Sequence, residues 1–240
     1  MPLNKVAKGS NMYQGWVTHT HSHLGGACPH KCSYCSIAGM AKRFPVMRER
    51  YTGPLRLIAK EFDVAYGSGK TIFIDDCGDL WANAVPAAMI EAVLAHCRKW
   101  PDNVYVFQTK NPDRYGWFER LGLLPPNVML GCTIETNREV PYTTSLAPSP
   151  FIRATAMWRM PRRIKTFITI EPIMQFDLSK LSDWIVMAAP AFVNIGADSK
   201  RHGLPEPSEN DIVNLGAVLE EHGIEVRCKD NLKRICKTNK

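Results

Sequence analysis

Two kinds of apolar pattern alternate along the chain. Thr71-Ile72-Phe73-Ile74-Asp75, Val104 to Thr109, Val128 to Thr133, Lys165 to Ile170, Trp184 to Met187, Phe192 to Ile195 and Ile224 to Arg227 are short, nearly unbroken apolar runs. Between them, Pro86 to Trp100 places Met89, Ile90, Val93 and Leu94 on one helical face, and Arg114 to Leu121 and Asn210 to His222 also read as helices. Strands without polar alternation are buried on both faces, so the pattern predicts an α/β fold with a parallel sheet under helices. Several runs close on polar residues: Asp75-Asp76, Gln108-Thr109-Lys110, Thr133-Ile134-Glu135 and Glu171. Parallel folds place their sites at such C-terminal strand ends. Tyr142 to Pro161, rich in Thr, Ser and Pro, reads as an insertion or lid in a single domain spanning 1–240.

Composition narrows the class. With 240 residues, 45% hydrophobic and 22% charged, the chain can bury a sizeable core and is neither disordered nor fibrous. No apolar run approaches the roughly 18 residues of a membrane helix. The N-terminal Met1-Pro2-Leu3-Asn4-Lys5 lacks the apolar core of a signal peptide. The expectation is a soluble cytoplasmic protein with no membrane partner. The net charge of +7 gathers at Lys42-Arg43, Arg48-Glu49-Arg50, Arg159 to Arg163 and the tail from Lys229 to Lys240. Such runs suit either a polyanion or a solvated surface.

Two sets of residues could bind metal. His19, His21 and His23 alternate as on one face of a strand, as in barrel metallohydrolases. His30, His96, His202 and His222 do not fall at strand ends to complete that set, so the trio reads better as lining the cavity floor or supporting the neighbouring loop. The stronger set is Cys28, Cys32 and Cys35, spaced C-x3-C-x2-C after Gly25-Gly26. Cytosolic thiols stay reduced, so the triplet calls for a metal, while Cys77, Cys97, Cys132, Cys228 and Cys236 read as packing thiols. Three thiolates can hold three irons of a cubic cluster and leave one iron open. The competing reading is a zinc site completed by a His, in a zinc-stabilised nucleic-acid-binding module. No second C-x2-C hook accompanies it.

C-x3-C-x2-C with an aromatic before the third Cys resembles the signature of the radical S-adenosylmethionine (SAM) superfamily. More narrowly, residues 14–235 resemble a phage- and prokaryote-associated group of radical-SAM-like proteins. The likeness rests on the triplet, Asp79-Leu80-Trp81 with the helix from Pro86, Phe107-Gln108-Thr109-Lys110-Asn111-Pro112, and Glu171-Pro172. More distantly the chain is similar to the spore photoproduct lyases, which repair a thymine dimer. The resemblance implies a partial (β/α)6-type TIM barrel. It implies a [4Fe-4S] cluster on Cys28, Cys32 and Cys35, and SAM cleaved to a 5′-deoxyadenosyl radical. Tyr34 would contact adenine. Asp75 or Asp76 would meet the ammonium or ribose, Lys110 the carboxylate, and Thr133 and Glu135 the ribose. Where the family has Gly-Gly-Glu, this chain has Asp75-Asp76-Cys77-Gly78-Asp79, which leaves the identity of the acid open. Glu171, Asn194, Asp198 and Lys229 would face the substrate, and Cys77 could donate a hydrogen atom. For each of these a cap, a salt bridge or a buried thiol is the alternative. The implied activity is an isomerase or lyase acting on a modified thymine in a nucleotide or DNA. The implied electron donor is flavodoxin- or ferredoxin-like, and the compartment is the host cytoplasm if the gene is phage-borne. A metallohydrolase on His19, His21 and His23 is the remaining alternative.

Overall fold

A computed structural model describes residues 3–7, 15–141 and 144–236. Met1 and Pro2, residues 142–143 of the expected insertion and residues 237–240 of the basic tail lie outside the described residues. The chain opens with β1 (Asn4–Lys5), β2 (His19–His21) and β3 (Leu24–Gly25), then a helix pair, α1 (Ser36–Arg43) and α2 (Pro45–Tyr51). After β4 (Arg56–Leu57) and a 3-10 turn at Ala59–Asp63 come β5 (Thr71–Ile74), α3 (Ala87–Arg98), β6 (Val104–Thr109), α4 (Asp113–Arg120) and β7 (Val128–Thr133). They are followed by α5 (Pro150–Trp158), β8 (Lys165–Ile170), α6 (Leu178–Ala188), β9 (Phe192–Ile195), α7 (Glu209–Glu221), β10 (Glu225–Cys228) and a last 3-10 turn at Asp230–Arg234.

Eight strands form one sheet in the order β1-β2-β5-β6-β7-β8-β9-β10, and β3 pairs with β4 separately. From β2 to β10 every pairing is parallel, which makes seven parallel strands where six were expected. Among the described residues of this sheet β1 alone runs antiparallel, and the separate β3–β4 pair is antiparallel too. The order never reverses, so right-handed crossovers put the helices on one face. That face carries Ile72, Ile74, Tyr105, Phe107, Leu130, Cys132, Ile168, Ile170, Val193 and Ile195, all in the main core.

The opposite face is curled. Trp16, just before β2, lies with its ring centroid 5.3 Å from Phe167 in β8 and 5.2 Å from Phe192 in β9. In a flat sheet β2 and β8 would be four strand spacings, about 19 Å, apart. The Arg227 guanidinium of β10 covers the Phe192 ring at 3.6 Å. Val17, Phe73, Val106, Phe167 and Phe192 form a separate apolar cluster on this inner face, with Met129 packed against it. Gly131 makes the cluster possible, because a Cβ there would meet the Phe167 ring at 2.1 Å. Two residues further along each strand the inner face turns polar, with Asp75, Gln108, Thr133, Thr169 and Asn194. The inner face is therefore plugged at one end and open to chemistry at the other.

Two expectations change. Trp184 to Met187 belongs to α6, where Leu181, Ile185 and Ala188 are buried at helical spacing; a four-residue apolar run cannot by itself distinguish strand from helix. Nine of the twenty residues of the expected insertion, Pro150–Trp158, form α5, which packs Ala154 and Met157 into the core.

Candidate functional site

The cysteine loop is fixed from both sides. Asp75, at the end of β5, has φ +56° and accepts the backbone N–H groups of His23 and Leu24, each at 2.8 Å. This turns the chain from β2 into the loop. Gly26 has φ +101°, and a Cβ there would lie 2.3 Å from the Pro54 carbonyl oxygen. Gly26 N–H donates to Arg50 O at 2.8 Å and Ala27 N–H to Gly53 O at 2.9 Å. From the other side, Ser33 N–H reaches Thr144 O at 2.8 Å and Leu146 N–H reaches His30 O at 2.7 Å. Ser145 Oγ lies 3.2 Å from Cys32 Sγ. Residues 144–146 thus brace the loop. Cys28, Cys32 and Cys35 are half-buried and line one cavity of about 350 Å³.

Asp79 ties this loop to the sheet. Its carboxylate accepts from the Thr109 hydroxyl at 2.6 Å, Lys110 N–H at 2.8 Å and Trp81 N–H at 3.0 Å, and bonds His30 Nε2 at 2.8 Å. Burial alone would raise its pKa, but these bonds and the adjacent His30 hold it below the usual value. Asp79 is no helix N-cap, since α3 begins only at Ala87. Asn111 Nδ2 donates to Trp81 O at 2.9 Å, so two of the sequence segments that carry the resemblance meet here.

Glu135 is the second hub and is wholly buried. Its Oε1 accepts from the Tyr34 hydroxyl at 2.5 Å and pairs with Lys110 Nζ, and Arg153 Nη1 lies 2.7 Å from Oε2. Burial pushes its pKa upward, but Arg153 and Lys110 outweigh it and set it well below the usual range. Lys110 Nζ also lies 5.2 Å from the centroid of the Tyr34 ring. Glu135 does not itself line the cavity, whereas Tyr34, Lys110 and Thr133 do. Arg153 escaped the sequence reading. Its flanks Pro150 and Met157 are buried on the same face of α5, and a cation on an apolar helical stripe signals a buried counter-ion.

The floor is a polar ladder. Gln108 Nε2 donates to Thr133 Oγ1 at 2.9 Å, and Gln108 Oε1 accepts from Thr169 Oγ1 at 3.2 Å. Asn194 Nδ2 reaches Thr169 Oγ1 at 3.4 Å. The far rim carries Glu171, which pairs with Lys229 and accepts from Asn231 Nδ2 at 2.9 Å. Gly196 leaves room for this pair, since a Cβ would lie 2.8 Å from the Glu171 carboxyl and 2.9 Å from Lys229 Cδ. Asp198 is buried and bonds His202 Nδ1 at 2.6 Å and Lys200 N–H at 3.2 Å, fastening its own loop.

Asp76 accepts from the Ser22 hydroxyl at 2.9 Å, and burial raises its pKa. Cys77 lies beside it, its thiol pushed up to about 12 by burial and then by the Asp76 charge. Burial and the Asp79 charge likewise push Cys28 up to about 12, against a hydrogen bond from the His30 backbone. Among the described residues, no three His, Cys, Asp or Glu side chains converge where a single ion could sit. In a cubic cluster each thiolate takes a different iron. The donor set of Cys28, Cys32 and Cys35 on one cavity wall fits the cluster.

The histidines on and after β2 lie elsewhere. His21 Nε2 contacts Glu61 O at 3.2 Å, and His23 Nε2 meets Tyr66 OH at 3.0 Å. Both are buried, and neither lines the cavity. Burial, then the neighbouring His21 and His96, lowers the His23 pKa to about 2. They pack as neutral rings against Phe62, Tyr66 and His96, away from the cavity floor. Arg162 and Arg163 precede β8, at the opposite end of the strand from the cavity. Arg162 donates to Ala188 O and Met187 O, and Arg163 pairs with Glu119. Among the described residues no helix is long and apolar enough to cross a membrane.

Solved structures share this fold. A double mutant of spore photoproduct lyase with bound AdoMet and dinucleoside spore photoproduct superposes with a TM-score of 0.53 at 10% identity, covering 92% of this chain and 66% of that one. A point mutant of the same lyase gives a TM-score of 0.56 at 10% identity, covering 94% of this chain and 80% of that one. The lyase complexed with dinucleoside spore photoproduct gives 0.52 at 11%, covering 87% and 62%. At these identities the likeness is one of fold. No curated protein matches the chain by sequence. A family model does match, over residues 15–190, a span from the turn before β2 through α6 that contains the cysteine loop and both carboxylate hubs; the chain belongs to the DUF5131 family, described as proteins of unknown function.

Proposed function

We propose that this protein is a radical SAM enzyme built on a partial barrel, acting on a thymine-derived base in DNA. The observation that carries the reading is the lining of one cavity by Cys28, Cys32 and Cys35 together with Asp76, Lys110 and Thr133 at C-terminal strand ends. Cys28, Cys32 and Cys35 would hold a [4Fe-4S] cluster. Such a cluster, once bound and reduced by a flavodoxin- or ferredoxin-like donor, supplies the electron that cleaves SAM to methionine and a 5′-deoxyadenosyl radical.

The chain's own groups bind and orient. Tyr34, held by Glu135, presents a fixed ring edge for adenine. Lys110 offers its ammonium between Tyr34 and Glu135. Asp76 has one oxygen engaged by Ser22 and is an acceptor for an ammonium or ribose hydroxyl. Thr133 offers a hydroxyl already oriented by Gln108. Glu135 and Asp75 act by positioning, since their neighbours claim them. The thiol of Cys77, raised to about 12, keeps its proton at neutral pH and so remains a hydrogen-atom source. Glu171, Lys229 and Asp198 edge the side where the substrate would lie. The fold shared with a lyase solved with dinucleoside spore photoproduct supports the substrate class.

Anaerobic reconstitution tests the reading. The protein should take up about four irons and four sulfides and, once reduced, release 5′-deoxyadenosine from SAM. Replacing the three cysteines with Ala should abolish both while the fold persists. Stoichiometric zinc with no iron uptake would overturn it.

A further inference from the structure

The positive charge of this chain is not spread over its surface. Residues 31–60 hold seven Lys and Arg and one acid, Glu49, a net +6 against +7 for all 240 residues. The remaining 210 residues hold 23 basic and 22 acidic side chains. Segment 31–60 is the end of the cysteine loop, the α1–α2 hairpin and β4. Within it Arg50 meets a carboxylate, Glu61, at 2.7 Å. Arg48 donates to Ala41 O and Lys42 O, and Arg56 to Glu49 O and Thr52 O. Bonds to carbonyls leave their charge uncompensated. Lys31, Lys42 and Arg43 are exposed.

The hairpin is also apolar at its tip. Residues 42–46 are all exposed, with Phe44 at 45% and Val46 at 72%. The Arg43 guanidinium lies 5.2 Å from the centroid of the Phe44 ring. α2 buries no residue and α1 only Ala41. The hairpin is nonetheless tied to the cysteine loop through Gly26 N–H to Arg50 O and Ala27 N–H to Gly53 O. Ser36 and Ile37, which open α1, line the cavity. The helix rises about 1.5 Å per residue, so the tip lies about 12 Å along α1 from that rim.

Resting on the reading of DNA as the substrate carrier, we infer that the α1–α2 hairpin is the element that docks duplex DNA. Lys31, Lys42, Arg43 and Arg48 engage backbone phosphates. Phe44 and Val46 enter the base stack beside a nucleotide turned out into the cavity. A base cannot reach a cavity of about 350 Å³ from within a duplex, so it must leave the stack. Apolar wedges are the device by which proteins open a base step. An acidic protein would meet the same charge. The bare apolar pair among the cations favours a partner whose charged backbone covers an apolar stack.

Binding of a fluorescently labelled duplex, read by anisotropy across a salt series, tests the inference, and these binding arms need neither cluster nor SAM. Lys42→Gln with Arg43→Gln should weaken binding about tenfold at 0.15 M salt. It should also flatten the slope of log affinity against log salt by about 2, since each phosphate contact contributes about 0.9. Phe44→Ala should keep the slope but lose most of the fluorescence gain of a 2-aminopurine placed in the duplex. Circular dichroism melts check that these exposed changes leave the fold intact. An unchanged slope in the double variant would overturn the inference. So would normal duplex binding combined with slowed cluster reduction by an acidic flavoprotein, which would make the hairpin a protein dock. Absence of 5′-deoxyadenosine would sink the radical SAM reading, yet the binding arms would still report on the hairpin.

Discussion

The two sides of the cavity hold their carboxylates in different ways. On the cysteine side Glu135 is wholly buried between Arg153, Lys110 and Tyr34, and Asp79 is bonded to four groups from three segments. On the far side the Glu171 side chain is 15% exposed, pairs with Lys229 and shares Asn231 with the Ala197 carbonyl and Ser199. A buried carboxylate is stable only when its donors are complete and fixed. The cysteine side is therefore a rigid frame, suited to holding a cofactor in one geometry. The far side keeps contact with water and can adjust to a substrate.

Removing one cation from each side separates them most strongly. Arg153→Met leaves Glu135 buried with one of its two cations gone and should cost about 3–5 kcal/mol in urea unfolding. Lys229→Met leaves Glu171 with Asn231 and access to water, and should cost about 1–3 kcal/mol. Equal losses would mean that the two rims are built alike.

The sequence foretold the frame better than its wiring. β6, β7 and β8 appear with their observed bounds as apolar runs, because strands covered on both faces carry no polar alternation. The cavity position followed from the polar residues closing those runs. The partners did not. Glu135 reads as a free strand-end acid, and only the fold reveals that Arg153, 18 residues on, crosses back from α5 to claim it. The alternation of His19, His21 and His23 suggested a metal set because strand periodicity fixes a face, not what covers it. Here Phe62, Tyr66 and His96 cover His23.

The frame also contains one carboxylate that is incompletely matched. Asp75 Oδ1 accepts two N–H groups, while Oδ2 is buried without a hydrogen-bond partner. Burial raises its pKa to about 7, against the two backbone bonds that lower it. An acid whose folded pKa is raised binds its proton more tightly when folded. Stability therefore falls as pH rises from about 4, the unfolded value, through about 7. The limiting slope is about 1.4 kcal/mol per pH unit. Asp75→Asn keeps an acceptor for His23 and Leu24, suits φ +56° at least as well, and removes the titration. Urea unfolding from pH 4 to 8 should be flatter in the variant, with equal or greater stability at pH 8. An unchanged pH profile would show that Asp75 is not the group responsible.

The smallest effect belongs to the end of the sheet away from the cavity. Arg162 and Arg163 stand just before Lys165, where β8 begins, so the six residues of that strand separate them from Glu171. At about 3.3 Å per residue the separation is about 20 Å. Arg163 is 69% exposed and paired with Glu119, and Arg162 binds the last carbonyls of α6. An exposed pair contributes about 0.2–1 kcal/mol, so Arg163→Ala should shift the unfolding midpoint only slightly. More telling is what it should leave alone. A cation already paired and facing away from the cavity would neutralise no phosphate, and so free no counterion, with DNA docked at α1–α2. The salt dependence of duplex binding should thus match that of the wild type, in contrast to the Lys42 and Arg43 variants. A flattened salt slope in Arg163→Ala would place DNA across the wrong end of the sheet for any base to enter the cavity.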